Sequence, residues 1–462
     1  MSQTASAEPP GAAEAPGATG VGDAPEAPGA TEVGSYFVAN YPPFSTWTTD
    51  AVEAAARPAL ATPAPPGVPL GLYLHIPFCR KRCHFCYFRV YTDKNAAEVQ
   101  SYLDVLGREW ELYAGQPALA GRPLDFVYFG GGTPSFLSVR QLRGLVDRLS
   151  AVSPWSEASE ITFECEPGTL TESKLAAIRE MGVTRLSLGV EHFDDHVLEI
   201  NGRAHRSAEI YRAYAFARSV DFPQINIDLI AGMLGESDDK WRAAVEKVVA
   251  LDPDSVTIYQ MELPFNTTIS SDLLHGSRQF QQTVAPWSTK RRWVDEAFAE
   301  LERAGYTIGS AYTAVKDPSR TRFVYRDRLW QGADLAGLGV ASFGHVNGVH
   351  MQNLDSWGAY AAAIEEGRLP LNRAYRPTDE ERLIRELVLQ LKLGSIRPTY
   401  FREKYGVDVR ERFTDPLASL ARDGYLDESS AEAVRLSRGG LLRVDSLLPR
   451  FFLPAHTDIR YT

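Results

Sequence analysis

Three of the four cysteines in this 462-residue chain crowd into one stretch, LYLHIPFCRKRCHFCYFRV (residues 72–90), at Cys79, Cys83 and Cys86. The C-x3-C-x2-C spacing lets one loop present thiolates to three irons of a cubane cluster and leaves the fourth iron without a protein ligand. Clusters that only transfer electrons take four cysteines. An iron open to a small ligand suits chemistry on that ligand. Cys165, far downstream in a strand-like segment, reads as a packing residue. Two other readings compete for the trio. Zinc sites use paired C-x2-C knuckles or cysteine with histidine; only one knuckle is present, with His75 and His84 as candidate partners. Buried structural thiols are the second, but Arg80, Lys81, Arg82 and His84 interleave with these cysteines.

Other candidate residues follow short apolar runs. In GGGTPS (130–135), three glycines permit close approach of backbone amides to an anion. In EITFECEPGTL (160–170), Glu164 and Glu166 share a face if the strand continues; a carboxylate there could meet an ammonium or ribose hydroxyls, or simply end a solvated strand. RLSLGVEHFDD (185–195) and NGRAH (201–205) bring Glu191 and Arg203, the latter with the planar fork that suits carboxylates. Asp228 ends an apolar run in INIDLIAG, where an unpaired charge is costly, so a ligand or a basic partner should meet it.

The elements that must position these residues alternate in type. Strands are expected at 71–75, 125–129, 160–164, 184–188, 225–230 and 255–259, and helices near 95–115, 138–150, 171–181, 207–219, 239–250 and 288–304. Six strand-helix alternations describe an α/β fold, a parallel sheet curved into a partial barrel that gathers ligands at the carboxyl ends of its strands. Residues 1–34, rich in Ala, Pro and Gly with EAPGAT occurring twice, read as a disordered tail. An aromatic strap and linker follow (35–69), then the barrel (70–310), a connection that closes it (311–375), and a terminal block of helices with a hairpin (376–462), which reads as winged-helix-like.

A net charge of −11 argues against a nucleic-acid surface, which needs a basic stripe. There is no apolar run long enough for a bilayer. Residues 1–34 lack lysine and arginine, as neither a secretory n-region nor an Arg-rich transit peptide does. A cytoplasmic enzyme is expected, and few, clustered cysteines suit a reducing interior.

The strand ending in Y-x-HIPFC and the cysteine spacing resemble the radical S-adenosylmethionine (SAM) superfamily, in the branch of oxygen-independent coproporphyrinogen III oxidase. That branch also holds haem chaperones and class C methyltransferases and cyclopropanases. The resemblance implies a TIM-like partial (β/α)6 barrel with a mostly helical C-terminal domain, a 4Fe-4S cluster on Cys79, Cys83 and Cys86, and two SAM molecules. It also implies a flavodoxin- or ferredoxin-type electron donor. Tyr73, Gly131 and Glu164 would hold the cluster-bound SAM, with Phe343 on its adenine. Phe85, Gly132, Thr133, Glu191, Arg203 and Asp228 would hold the second. Glu191 stands where the branch has glutamine. Tyr312 and Glu191 are the candidate catalytic residues.

Three departures favour a C-methylase or cyclopropanase, with the second SAM as methyl or methylene donor to a planar unsaturated natural product, over the porphyrinogen oxidase or a haem chaperone. Phe88 replaces the oxidase's additional cysteine. GSAYTAVKD (309–317) replaces its Met-Asp-His-Phe-like segment. No cluster of cations to hold propionates is visible, apart from Lys316, Arg320 and Arg322.

Overall fold

The structure, a computed structural model, describes residues 33–34, 37–275 and 284–457. Apart from residues 33 and 34, the tail lies outside the described residues, as do the first two positions of the strap. The six expected strands form as β1 (Leu70–Ile76), β2 (Phe126–Gly131), β3 (Glu160–Cys165), β4 (Arg185–Glu191), β5 (Gln224–Ala231) and β6 (Ser255–Gln260). They pair in parallel in that order. The intervening helices include Ala96–Ala114, Val139–Val152, Glu172–Glu180, Ser207–Ser219 and Asp238–Leu251, and Trp287–Arg303 follows β6.

Parallel strands buried on both faces usually read as unbroken apolar runs. These alternate. In β4, Leu186, Leu188 and Val190 join the main core, as do Ile225, Ile227 and Leu229 of β5. Their neighbours face the other way and bond to each other: Ser187 Oγ donates to Asp228 Oδ2 (2.9 Å), and Asn226 Nδ2 donates to Ser187 Oγ (3.0 Å). The curved sheet thus has an apolar outer face under its helices and a polar lumen.

The sheet continues past both ends of this run. β7 (Thr307–Ile308) and β8 (Thr313–Val315) add antiparallel beyond β6. β9 (Asp334–Leu338) pairs in parallel with β1, and β10 (Phe343–Val346), β11 (Val349–Asn353) and β12 (Leu371–Tyr375) follow antiparallel. A second core lies in the C-terminal region, where helices Asp379–Leu391, Pro398–Tyr405 and Thr414–Arg422 accompany a small sheet of β13 (Ser395–Ile396), β14 (Leu426–Ser429) and β15 (Val434–Leu436) in the order β13-β15-β14. This is the winged-helix-like unit. The strap ties the two cores together: Thr48 bridges Ala374 of β12, Lys392 Nζ donates to Val38 O (2.8 Å), and Tyr41 packs on Phe452.

Helix Ala96–Ala114 holds the mouth of the barrel in register. Its N-terminus is closed by a capping box between Asn95 and Glu98, and Val99, Tyr102, Leu103, Leu106, Trp110 and Tyr113 recur on its buried face. Tyr102 donates to His75 O (2.9 Å) at the end of β1 and accepts from Val340 N (3.2 Å). One turn or two further on, Glu109 has no exposed surface and accepts from Gly339 N (2.7 Å), Asn353 Nδ2 (2.6 Å) and Tyr360 OH (2.5 Å). Burial pushes its carboxyl up to about 7 against the donors. The native chain therefore holds this proton longer than the unfolded one, so stability falls as pH rises from about 4.5 to about 7. Urea titrations across that window should show the slope flattened in Glu109→Gln. Glu109→Ala, which leaves three donors unmet, should cost about 3 kcal/mol; an unchanged slope in the glutamine variant contradicts this assignment.

Candidate functional site: a thiol loop over a polar lumen

The cysteine loop is pinned at both ends. At its root Phe78, with no exposed surface, packs edge-on against Tyr102 and beside Phe136 and Trp357. The chain returns at Tyr91, which donates its N–H to Pro77 O (2.7 Å) and accepts from Cys79 N (3.0 Å). On the far side His84 donates its backbone N–H to Asn201 O and its Nδ1 to Ile200 O (both 3.0 Å). Cys79, Cys83 and Cys86 stay half-buried between these anchors, while Cys165 is buried in the core.

The strand ends close on the sulfurs. Thr133 Oγ1 donates to Cys79 Sγ (3.3 Å) and Arg203 Nη1 to Cys83 Sγ (3.2 Å). Gly132 donates to Ile76 O (2.9 Å). A Cβ on Gly132 would lie 2.9 Å from that oxygen and 3.1 Å from Cys79 Sγ; on Gly131, at φ +107°, it would lie 2.5 Å from His75 Nδ1. The glycines therefore allow β2 to end directly under the loop.

Burial pushes the Cys79 thiol up to about 11 and Cys86 to about 12, so their thiolates need a cationic partner, which bound metal supplies. Among the described residues no three His, Cys, Asp or Glu side chains converge as ligands of one ion. Sulfurs that each bind a different iron need not converge, and the donor set fits a cluster.

Beneath the loop the lumen gathers acids and aromatic rings. Tyr128 donates to Glu164 Oε1 (2.5 Å), and burial pushes that carboxyl up to about 7. Glu191 sits at φ +65°, where β4 bulges against β5. That left-handed backbone is unfavourable for glutamate, and such strain concentrates at working sites. Burial pushes Glu191 up to about 7 as well, with Arg203 Nη2 3.5 Å away and also donating to Gly189 O (2.5 Å). Asp228 accepts from Ser187 and from Asn226 Nδ2 (2.8 Å), and burial raises its pKa. Tyr73 stacks on Tyr128, which meets Tyr325 with centroids 4.3 Å apart.

Three comparisons place this geometry. Residues 73–248 match the model of the Radical SAM superfamily. The anaerobic coproporphyrinogen III oxidase 1 of Cereibacter sphaeroides is 30% identical over 330 residues, 69% of this chain and 71% of the relative. The chain belongs to the coproporphyrinogen III oxidase-like branch of the radical SAM superfamily. The heme chaperone HemW of Bacillus subtilis is 29% identical over 376 residues, 80% of this chain and 96% of that protein. The solved structure of coproporphyrinogen III oxidase (HemN) from Escherichia coli superposes with a TM-score of 0.78 at 25% identity, covering 90% of this chain and 96% of that one. As a member of this branch, the protein is a radical SAM enzyme whose cofactors are a 4Fe-4S cluster and SAM.

The expected methylation or cyclopropanation of a natural product is overturned by these relatives, which are porphyrinogen oxidases and a heme chaperone across most of the chain. The departures misled for physical reasons. Phe88 is 42% exposed and stacked on Tyr87, so the change at that position alters the loop's surface. Lys316 is spent on Asp252, and Arg320 and Arg322 are exposed. Besides Arg203, the lumen holds a buried cation in Arg185, 2% exposed, with its guanidinium 4.1 Å from the Phe323 ring and its Nε without a hydrogen-bond partner among the described residues. An arginine inside the apolar run TRLSL was the available signal.

Most of the expected residues meet around the loop and lumen. Phe85 packs beside Val197, Met261 and Ile269. Phe343 lies to the side, against Phe44 of the strap (4.3 Å). Tyr312 donates to Asp445 and packs on Phe37 and Tyr259, at the seam between strap, barrel and C-terminal region.

Two outcomes follow. Gly132→Ala should force the loop off β2 and lower iron per chain after reconstitution by at least about tenfold, read by iron and sulfide assay; full loading contradicts the cradle. Glu164 and Glu191 carry charge only above about 7, so SAM affinity, measured calorimetrically, should fall as pH drops through 7 and lose that dependence in Glu164→Gln/Glu191→Gln.

Proposed function

We propose that this protein is an oxygen-independent coproporphyrinogen III oxidase, which removes carbon dioxide oxidatively from propionate side chains of a porphyrinogen. The observation that carries this reading is the likeness to oxidases over nearly their whole length. The Pseudomonas aeruginosa enzyme is 28% identical over 415 residues, 86% of this chain and 88% of its own, alongside the fit to the Escherichia coli structure.

When bound, the cluster and SAM supply reductive cleavage of the sulfonium and, from it, a carbon radical that takes a hydrogen atom. In this proposal Cys79, Cys83 and Cys86 hold the cluster, and the electron arrives from a flavodoxin- or ferredoxin-type carrier. Gly131 and Glu164, with Tyr73, receive the first SAM. Phe85, Gly132, Thr133, Glu191, Arg203 and Asp228 line the place for a second. The residues' task is alignment and exclusion of water. Tyr73, Tyr128, Tyr259 and Tyr325 offer ring faces and hydroxyls to a flat, partly polar substrate, and Arg185 offers a buried cation to a carboxylate. In this proposal Tyr312, paired to Asp445, contacts the substrate from the seam with the C-terminal region.

A haem chaperone is the second reading, favoured by the Bacillus relative. Anaerobic incubation of the reconstituted protein with coproporphyrinogen III, SAM and dithionite separates the two. The expected result is porphyrinogen consumption with carbon dioxide and 5′-deoxyadenosine formed together. Arg185→Met should lower kcat/KM about a hundredfold, consistent with about 3 kcal/mol for an unmet buried charge. Stoichiometric haem retention without decarboxylated product overturns the oxidase in favour of the chaperone.

A further inference from the structure

One charged node beside the cysteine loop has no part in the roles above. Arg80, the residue after Cys79, makes a bidentate pair with Glu166: Nε to Oε2 and Nη2 to Oε1, both 2.9 Å. His205 Nδ1 lies 3.1 Å from Glu166 Oε1, and its Nε2 lies 3.2 Å from Val190 O. The Glu166 N–H donates to Ser135 Oγ in the glycine-rich turn (3.0 Å), and Gly168 N donates to Glu166 Oε1 (3.0 Å). The Glu166 side chain is 10% exposed and that of His205 has no exposed surface. Burial opposes the charge, yet His205 and Arg80 hold the Glu166 carboxyl down at about 2. Space is as restricted as charge, since a Cβ on Gly168 would lie 2.0 Å from Arg80 Nη2.

Four segments therefore meet at Glu166, the cysteine loop and the stretch after β4 that carries Arg203 at its carboxylate, and the turn after β2 at its backbone N–H at the end of β3. Glu164, two residues before Glu166, faces the lumen. We propose that Arg80, Glu166 and His205 form a latch that sets the position of the cluster against the SAM-binding strand ends. Each is a positioning residue. The inference rests on the assignment of the three cysteines as cluster ligands. A bidentate arginine pair fixes both distance and plane, which a lysine at the same place cannot do.

The test uses wild type, Glu166→Gln, Arg80→Met, Arg80→Lys and Gly168→Ala, each reconstituted anaerobically. Iron per chain, thermal midpoint, SAM affinity and the SAM-induced change in the EPR spectrum of the reduced cluster are measured. The first two variants should bind SAM at least about tenfold more weakly and lose most of the SAM-induced spectral change. Gly168→Ala should behave like Arg80→Met with every charge retained, and Arg80→Lys should recover part of the effect. Glu166→Gln preserves shape and Arg80 is over one-third exposed, so folded protein is expected from both positions. A lower midpoint with wild-type affinity and an unchanged spectral response would overturn the latch. If wild type itself gathers no cluster, the cysteine assignment fails, a result distinct from failure of the latch.

Discussion

Sulfur withdrawn from water holds a negative charge only against a compensating positive one, and that requirement governs the site. Cys79 and Cys86 are held by burial in their protonated form until metal arrives. The loop that carries them is anchored at both ends. Its root is clamped by Phe78 and the Tyr91 pairing, and its crown is hung on Asn201 and Ile200. Arg203 and Thr133 point hydrogen-bond donors at the sulfurs, a kind of contact that tunes the potential of an iron-sulfur cluster.

The same economy of burial runs through the lumen. Three carboxylates, Glu164, Glu191 and Asp228, are raised by desolvation, and two buried cations accompany them, Arg203 beside Glu191 and Arg185 against Phe323. Such a cavity favours ligands that bring their own charges. SAM carries a sulfonium, an ammonium and a carboxylate, and a porphyrinogen carries propionates around an apolar ring. The alternation of apolar and polar residues along β4 and β5 is what a parallel sheet must have when one face is a core and the other a binding space.

Much of this was legible in the sequence because it obeys short-range rules. Strand period, cysteine spacing and the glycine triplet located all six strands and the loop, and family resemblance gathered Glu164, Glu191, Arg203 and Asp228 about one mouth. The rest was hidden in long-range pairing. Nothing local to Arg80, Glu166 or His205 reveals that they share a carboxylate. Arg185 looks like an interruption of a strand until Phe323, far along the chain, covers it. A cation for substrate is sought in the sequence as a cluster near the strand ends, whereas Arg185 lies buried inside an apolar run. Phe88, where the oxidase has a cysteine, is exposed.

The central claim is that three cysteines hold a cluster with one iron left for SAM. Mössbauer spectra of iron-57-reconstituted protein test it most directly. One iron site of four should shift on adding SAM while three stay unchanged, and Cys79→Ala/Cys83→Ala/Cys86→Ala should show neither cluster nor shift. Four equivalent irons indifferent to SAM, or a cluster that survives loss of all three thiols, would contradict it.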